Sequence, residues 1–206
     1  MNKNGYDGSK ITKTVMASTL AMTDNEGNMT NEEAFWIRFK SLYPEVDESL
    51  TKAFDQFYID HFDEVKASAK YQPLARPLIK ELKSKGYTLV LATNPLFPKV
   101  ATNKRIAWAD LDISDFEIIT TFDNASYTKP KLAYYQSILN QLRKEPSECM
   151  MIGNDAHEDM IASQLGIKTY LVTDCLINSK GIDLNRYPHG SFEEMVRFVE
   201  TLPKLL

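Results

Sequence analysis

Only two cysteines, Cys149 and Cys175, occur in 206 residues. They are neither spaced like metal ligands nor numerous enough for a disulfide framework, which favours a reducing compartment. No apolar run approaches the length of about eighteen residues that a membrane helix needs. The N-terminal stretch Met1-Asn2-Lys3-Asn4-Gly5-Tyr6 also lacks the apolar segment of a signal peptide, so a soluble, cytoplasmic protein is expected. Eight glycines and nine prolines are too few for a collagen-like or low-complexity chain. Lys and Arg number 24 against 28 Asp and Glu, a net charge of −4, which leaves no basic excess to neutralise a nucleic-acid backbone. What remains is a chain with 43% hydrophobic residues, enough to bury the core of one domain or of a domain with a small appendage.

Two parts read differently. Over residues 9–66 the apolar side chains recur at helical spacing, as in Phe35, Phe39 and Leu42, then Leu50, Phe54, Phe57, Tyr58 and Phe62. Thr30 followed by Glu33 has the form of a capping box, and Asp24 to Asn28, with Gly27, is the connector before it. The expectation is an all-helical region over residues 1–70. From residue 71 to 206 helix and short buried strand alternate. Helices are predicted at 75–85, 98–109, 132–142, 159–165 and 192–202, and strands at 87–92, 117–121, 149–152 and 169–172. Four apolar strands separated by helices predict an α/β fold with an open parallel, Rossmann-like sheet covered on both faces.

In such a sheet ligands bind beyond the carboxyl ends of the strands. The first strand delivers Thr93 and Asn94 before Pro95, a hydroxyl and an amide that, with free backbone N–H groups, can hold an anionic oxygen. The second is followed by Lys129-Pro130, a point charge on a stiffened turn. The third ends in Gly153-Asn154-Asp155, with Asp159 four residues further on. If a helix begins near Ala156, two carboxylates meet at the strand end and form a hard oxygen site suited to Mg²⁺. Each element alone has an ordinary explanation: a turn, a surface lysine, an acid capping a helix, and His157 as a solvated side chain. Their order along one sheet is what points to phosphate with a divalent ion.

With these residues the chain resembles the haloacid dehalogenase-like hydrolases. The family's second motif is matched by Leu89-Val90-Leu91-Ala92-Thr93-Asn94. The third is matched by Lys129-Pro130-Lys131-Leu132-Ala133-Tyr134-Tyr135, and the fourth by Met151-Ile152-Gly153-Asn154-Asp155 with Asp159. The resemblance implies an α/β core from residue 71 onward preceded by part of a helical cap. It further implies a Mg²⁺-dependent phosphatase acting on a small phosphorylated metabolite, with Thr93, Asn94 and Lys129 on the phosphate and Asp155 and Asp159 on the metal. In the usual fourth motif an acid directly follows the glycine. Here Asn154 does, which shifts the metal-ligand assignment to Asp155.

The family's first motif, an apolar strand ending in Asp-x-Asp whose first Asp attacks phosphorus, has no match. The nearest imitation is Tyr6-Asp7-Gly8-Ser9, which is read as a turn into a helix rather than a nucleophile. Three explanations stand: a shortened chain, a pseudoenzyme with a repaired sheet, or a split protein completed by another polypeptide. The first is preferred, because everything after residue 9 is still built for an active enzyme. A sheet missing its central strand would expose unpaired edges and invite a homodimer or a second polypeptide. The competing functional reading is a non-catalytic module that binds phosphate or a partner. A receiver domain of two-component signalling is argued against by chain order, since its acids precede the Thr and Lys. The aromatic side chains Trp36, Tyr43, Phe57 and Tyr58 are read as helix packing, and 174–189 as a long loop. Neither reveals the substrate.

Overall fold

Side chains set the starts of the first three helices. In the computed structural model, which describes residues 7–205, Asp7 caps α1 (Gly8–Thr23) by accepting from the N–H groups of Ser9 and Lys10. Thr30 and Glu33 form the expected capping box at the head of α2 (Asn31–Leu42), and Asp47 caps α3 (Glu48–Asp60). A 3₁₀ turn, Phe62–Ser68, completes the helical stretch. Then come α4 (Ala75–Ser84), β1 (Val90–Leu91), α5 (Lys99–Trp108), β2 (Ile118–Ile119), α6 (Leu132–Leu142), β3 (Met150–Gly153), β4 (Lys168–Val172), β5 (His189–Gly190) and α7 (Phe192–Glu200). The first six residues, including those inspected for a signal peptide and Tyr6 of the Asp7 segment, lie outside the described part. Among the described residues no helix is long and apolar enough to cross a membrane.

The chain forms two compact units. The first contains the helices up to residue 72 together with 91–114 and 119–128, so α5 and the stretch after β2 join the helical part. Its core gathers Ile11, Met22, Phe35, Phe39, Tyr43 and Leu50, with Trp36, Phe54, Leu96 and Phe122 packed around them. Phe39 and Leu50 are completely buried, each removing apolar surface worth about 2 kcal/mol from water. Trp36 meets Phe35 and Phe54 edge to face, and Phe39 stacks on Phe35. Trp36 and Tyr43 therefore pack in the helical core, as expected of them. Phe57 is 42% exposed.

The second unit contains 73–90, 115–118 and the residues from 129 onward. Here β3, β4 and β5 run parallel in that order, with Met151 opposite Thr169 and Leu171 opposite His189. Successive residues of β4 face opposite sides of the sheet. Tyr170 and Val172 pack with Leu78 and Leu82 of α4 and Met195 and Val199 of α7, whereas Leu171 packs with Ala156 and Met160. The C-terminus of α7 is closed by Lys85, whose ammonium donates to the carbonyls of Val199, Glu200 and Leu202.

Three sequence expectations need correction. A fifth strand, β5, lies at the end of the 174–189 stretch read as a loop. It is only two residues long and exists through its pairing with β4, so no alternation announces it. The segment predicted as a helix from 159 is a 3₁₀ helix, Met160–Leu165, and the chain from 154 to 159 is a turn rather than the start of a helix. The two apolar runs 87–92 and 117–121 yield two-residue strands that pair with each other, and the described strands form two sheets, β1–β2 and β3–β4–β5.

Candidate functional site

In the second unit, β3 delivers its chain end into a tightly bonded turn. The backbone at Asn154 and Ala156 pairs with Ile177, and the Asn154 amide donates to the Cys175 carbonyl at 2.6 Å, so the turn is pinned from the side. Asp155 Oδ1 accepts from the N–H groups of His157 and Glu158, both at 2.8 Å. Such an Asx arrangement satisfies two donors that the missing helix turn would leave unpaired. Asp155 Oδ2 carries no hydrogen bond among the described residues, and the residue is partly exposed.

Asp159 is engaged through both oxygens. Its Oδ2 accepts from the Asp155 N–H at 2.9 Å, and its Oδ1 receives the Lys129 ammonium at 2.6 Å. Both partners of that ion pair are buried, at 7% exposure for Lys129 and 5% for Asp159. Gly153 is required here, because a Cβ at that position would overlap the Asp159 carboxylate. The resulting bond is charge-assisted and short, and it holds the lysine head in one place.

Two aromatic residues of α6 complete the surroundings of Lys129. Its Nζ lies 5.8 Å from the centre of the Tyr134 ring and 6.0 Å from that of Tyr135, and the two rings meet edge to face. The Tyr135 hydroxyl donates to the Glu158 carbonyl at 2.6 Å, which ties α6 to the acidic turn. Burial, and then the charge of Asp159, push this phenol far above its ordinary range, so it is a fixed donor rather than a proton shuttle. The lysine motif runs through Tyr134 and Tyr135 but gives a role only to Lys129. Their only sequence signal is their place five and six residues on, in the first turn of a helix.

In the first unit, the Thr93 hydroxyl donates to the Thr120 carbonyl at 2.6 Å and its N–H to Leu91 O at 3.1 Å. The backbone N–H expected to be free for an anion is thus engaged at Thr93. Asn94 follows it, and its carbonyl accepts from Leu96 N–H at 2.8 Å in the turn around Pro95. The structure therefore brings Lys129, Asp155 and Asp159 together in one unit, while Thr93 and Asn94 belong to the other. Asp7 is occupied as a helix cap. Among the described residues no group of three or more His, Cys, Asp or Glu side chains could hold a metal by itself.

The comparisons with known proteins bear on the family and the fold. A model of the haloacid dehalogenase-like hydrolases matches residues 6–174. Among curated proteins the chain is similar to the pyrophosphatase PpaX of Bacillus thuringiensis (strain Al Hakam), with 27% identity over 135 residues. That alignment covers 64% of this chain, and the chain spans 60% of the length of that relative. Among solved structures, a HAD phosphatase from Thermococcus onnurineus superposes with a TM-score of 0.57 at 16% identity, covering 95% of this chain and 92% of that one. A putative beta-phosphoglucomutase from Thermotoga maritima gives 0.57 at 20% identity, covering 93% of each chain. At those identities the likeness concerns the fold.

Proposed function

The chain belongs to the haloacid dehalogenase-like hydrolases, and on that premise we propose that it is the phosphate-handling part of a Mg²⁺-dependent phosphatase for a small phosphorylated metabolite. The observation that carries the proposal is the buried Lys129–Asp159 pair beside a carboxylate, Asp155, with one oxygen left over. A buried ammonium locked in one position neutralises charge on a transferring phosphoryl group without reorganising. Thr93 and Asn94 are assigned to phosphate binding by their place in the family's second motif.

The donor set fits Mg²⁺ at Asp155. This ion keeps several waters and takes one or two carboxylates together with phosphate oxygens, so a single free carboxylate oxygen suits it. Asp159 suits it poorly, because both its oxygens already accept. We therefore assign Asp159 to holding Lys129 and Asp155 to the metal, where the bound ion would polarise the phosphoryl oxygens.

Neither carboxylate is left for attack on phosphorus, so the 206-residue chain is proposed to lack turnover alone. Among the described residues β3 is paired by β4 on one side and by no strand on the other. That edge supports completion by another polypeptide or a second copy of the chain. Titration with Mg²⁺ and inorganic phosphate tests the binding assignment. Millimolar amounts together should raise the melting temperature of the parent, since a ligand that binds only the folded state stabilises it. Asp155→Asn should remove most of the Mg²⁺-dependent part. An equal shift in parent and variant would exclude Asp155 as the metal ligand.

A further inference from the structure

Asn31 opens α2 and has no exposed surface at all. Its side-chain amide donates to the Pro95 carbonyl at 3.2 Å and to the Tyr127 carbonyl at 3.4 Å. Its Oδ1 accepts from the Asn25 amide at 3.0 Å, and Asn25 is itself fixed through Met29 O and Gly27 N–H. The backbone repeats the pattern: Asn31 N–H donates to Ala125 O at 2.8 Å and Glu32 N–H to Phe122 O at 2.9 Å. Gly27, at a φ of +91°, lies against Tyr127, where a Cβ would overlap the phenol ring. All these atoms belong to the first unit.

The two backbone stretches held in this way are not arbitrary. One begins immediately after Asn94, the other ends immediately before Thr128, and both belong to the first unit. The helix does not need a buried amide for its own sake, since Thr30 and Glu33 already supply its capping box. Burying a primary amide is unfavourable unless its donors and acceptor are matched, and an apolar side chain would fill the same volume without that requirement. What the amide adds is direction: it ties two carbonyls, from segments more than thirty residues apart, to one rigid group.

We propose that Asn31 is a positioning residue that, within the first unit, holds the stretch following Thr93 and Asn94 against the stretch ending at Tyr127, and thereby sets the contribution of Thr93 and Asn94 to the affinity for phosphate. This rests on the phosphate reading given above, whose own failure the test registers by a distinct result, a parent that binds no phosphate.

The test uses the full chain labelled with ¹⁵N and compares the parent with Asn31→Leu, Asn31→Asp and, as a control, Ile11→Ala. Ile11 is buried in the same unit but makes no side-chain hydrogen bond to either stretch. Amide hydrogen exchange at 93–97 and 121–128 is followed together with the dissociation constant for inorganic phosphate in the presence of Mg²⁺. Loss of the shared bonds should speed exchange there about tenfold and weaken phosphate binding about fivefold, with β4 and α6 unchanged. Ile11→Ala should lower the melting temperature without either local effect. Should both Asn31 variants fail to fold, Asn25→Ala removes the bond that orients the amide, together with Asn25's own bonds to Met29 and Gly27, leaves the two donations of Asn31 in place and should produce a smaller change of the same kind. Exchange at the two stretches that moves no more than in Ile11→Ala overturns the proposal, as does faster exchange with unchanged phosphate affinity. If the parent binds no phosphate, the phosphate reading fails, and the proposal, which claims an effect on that affinity, falls with it. The exchange data then show only whether Asn31 holds the two stretches.

Discussion

The Lys129 ammonium lies 2.6 Å from Asp159 Oδ1, and both side chains are withdrawn from water. Taking two charges out of solvent is costly, and their attraction repays that cost only while both are present. Lys129→Ala and Asp159→Asn should each lower unfolding free energy in urea by about 3 kcal/mol. The double variant should lose much less than the sum, since the second change removes a charge already left alone. Additive losses would mean that the pair is not coupled. Gly153→Ala should act on the same pair from below, because the new methyl group must displace the Asp159 carboxylate.

The two thiols should differ in reactivity. Burial, and then the charge of Glu148, raise the Cys149 thiol above its ordinary range, whereas Cys175 is exposed. Because the thiolate is the reacting form, a disulfide reagent in the native state should modify Cys175 at least about tenfold faster than Cys149. Equal rates, checked with Cys175→Ser, would contradict the placement of Cys149.

Acid should expose the role of Asp63. Hydrogen bonds from the Lys104 ammonium and the Trp108 indole N–H hold its carboxyl below the usual carboxylate range. A depressed pKa contributes stability above the unfolded value of about 3.9, and that contribution is lost as pH falls through the folded value. The melting temperature of Asp63→Asn should therefore lie below that of the parent at pH 6 to 7. The gap should close as the pH is taken below about 4. A gap independent of pH would show that the charge contributes nothing.

Much of this was legible in the residues. Helix 132–142 falls at the predicted bounds, since a clean apolar face and a preceding Lys-Pro mark it locally. The Thr30–Glu33 capping box is likewise a local signal with a local cause. The apolar runs 87–92 and 117–121 are longer than the strands they form, because a strand's length is set by its partners and among the described residues these two pair only with each other. The position of Asp155 and Asp159 at one strand end could be read from Gly153 onward. Which of them stays available could not, because that depends on Lys129, thirty residues earlier in the chain, reaching Asp159. Asn31 gave no signal at all: its amide N–H groups donate to backbone carbonyls, which every residue has.

The function proposed for this chain gives it the charge-neutralising and metal-side groups of a phosphatase but no carboxylate for attack on phosphorus. The direct measurement is release of aryl alcohol from a generic aryl phosphate by the purified 206-residue chain with Mg²⁺. The account predicts no turnover, its appearance when a segment with an apolar strand and Asp-x-Asp is joined at the N-terminus, and its loss when the first of those Asp residues becomes Asn. Robust Mg²⁺-dependent turnover by the 206-residue chain, abolished by Asp155→Asn and by Asp7→Asn, would contradict it and make Asp7 the nucleophile.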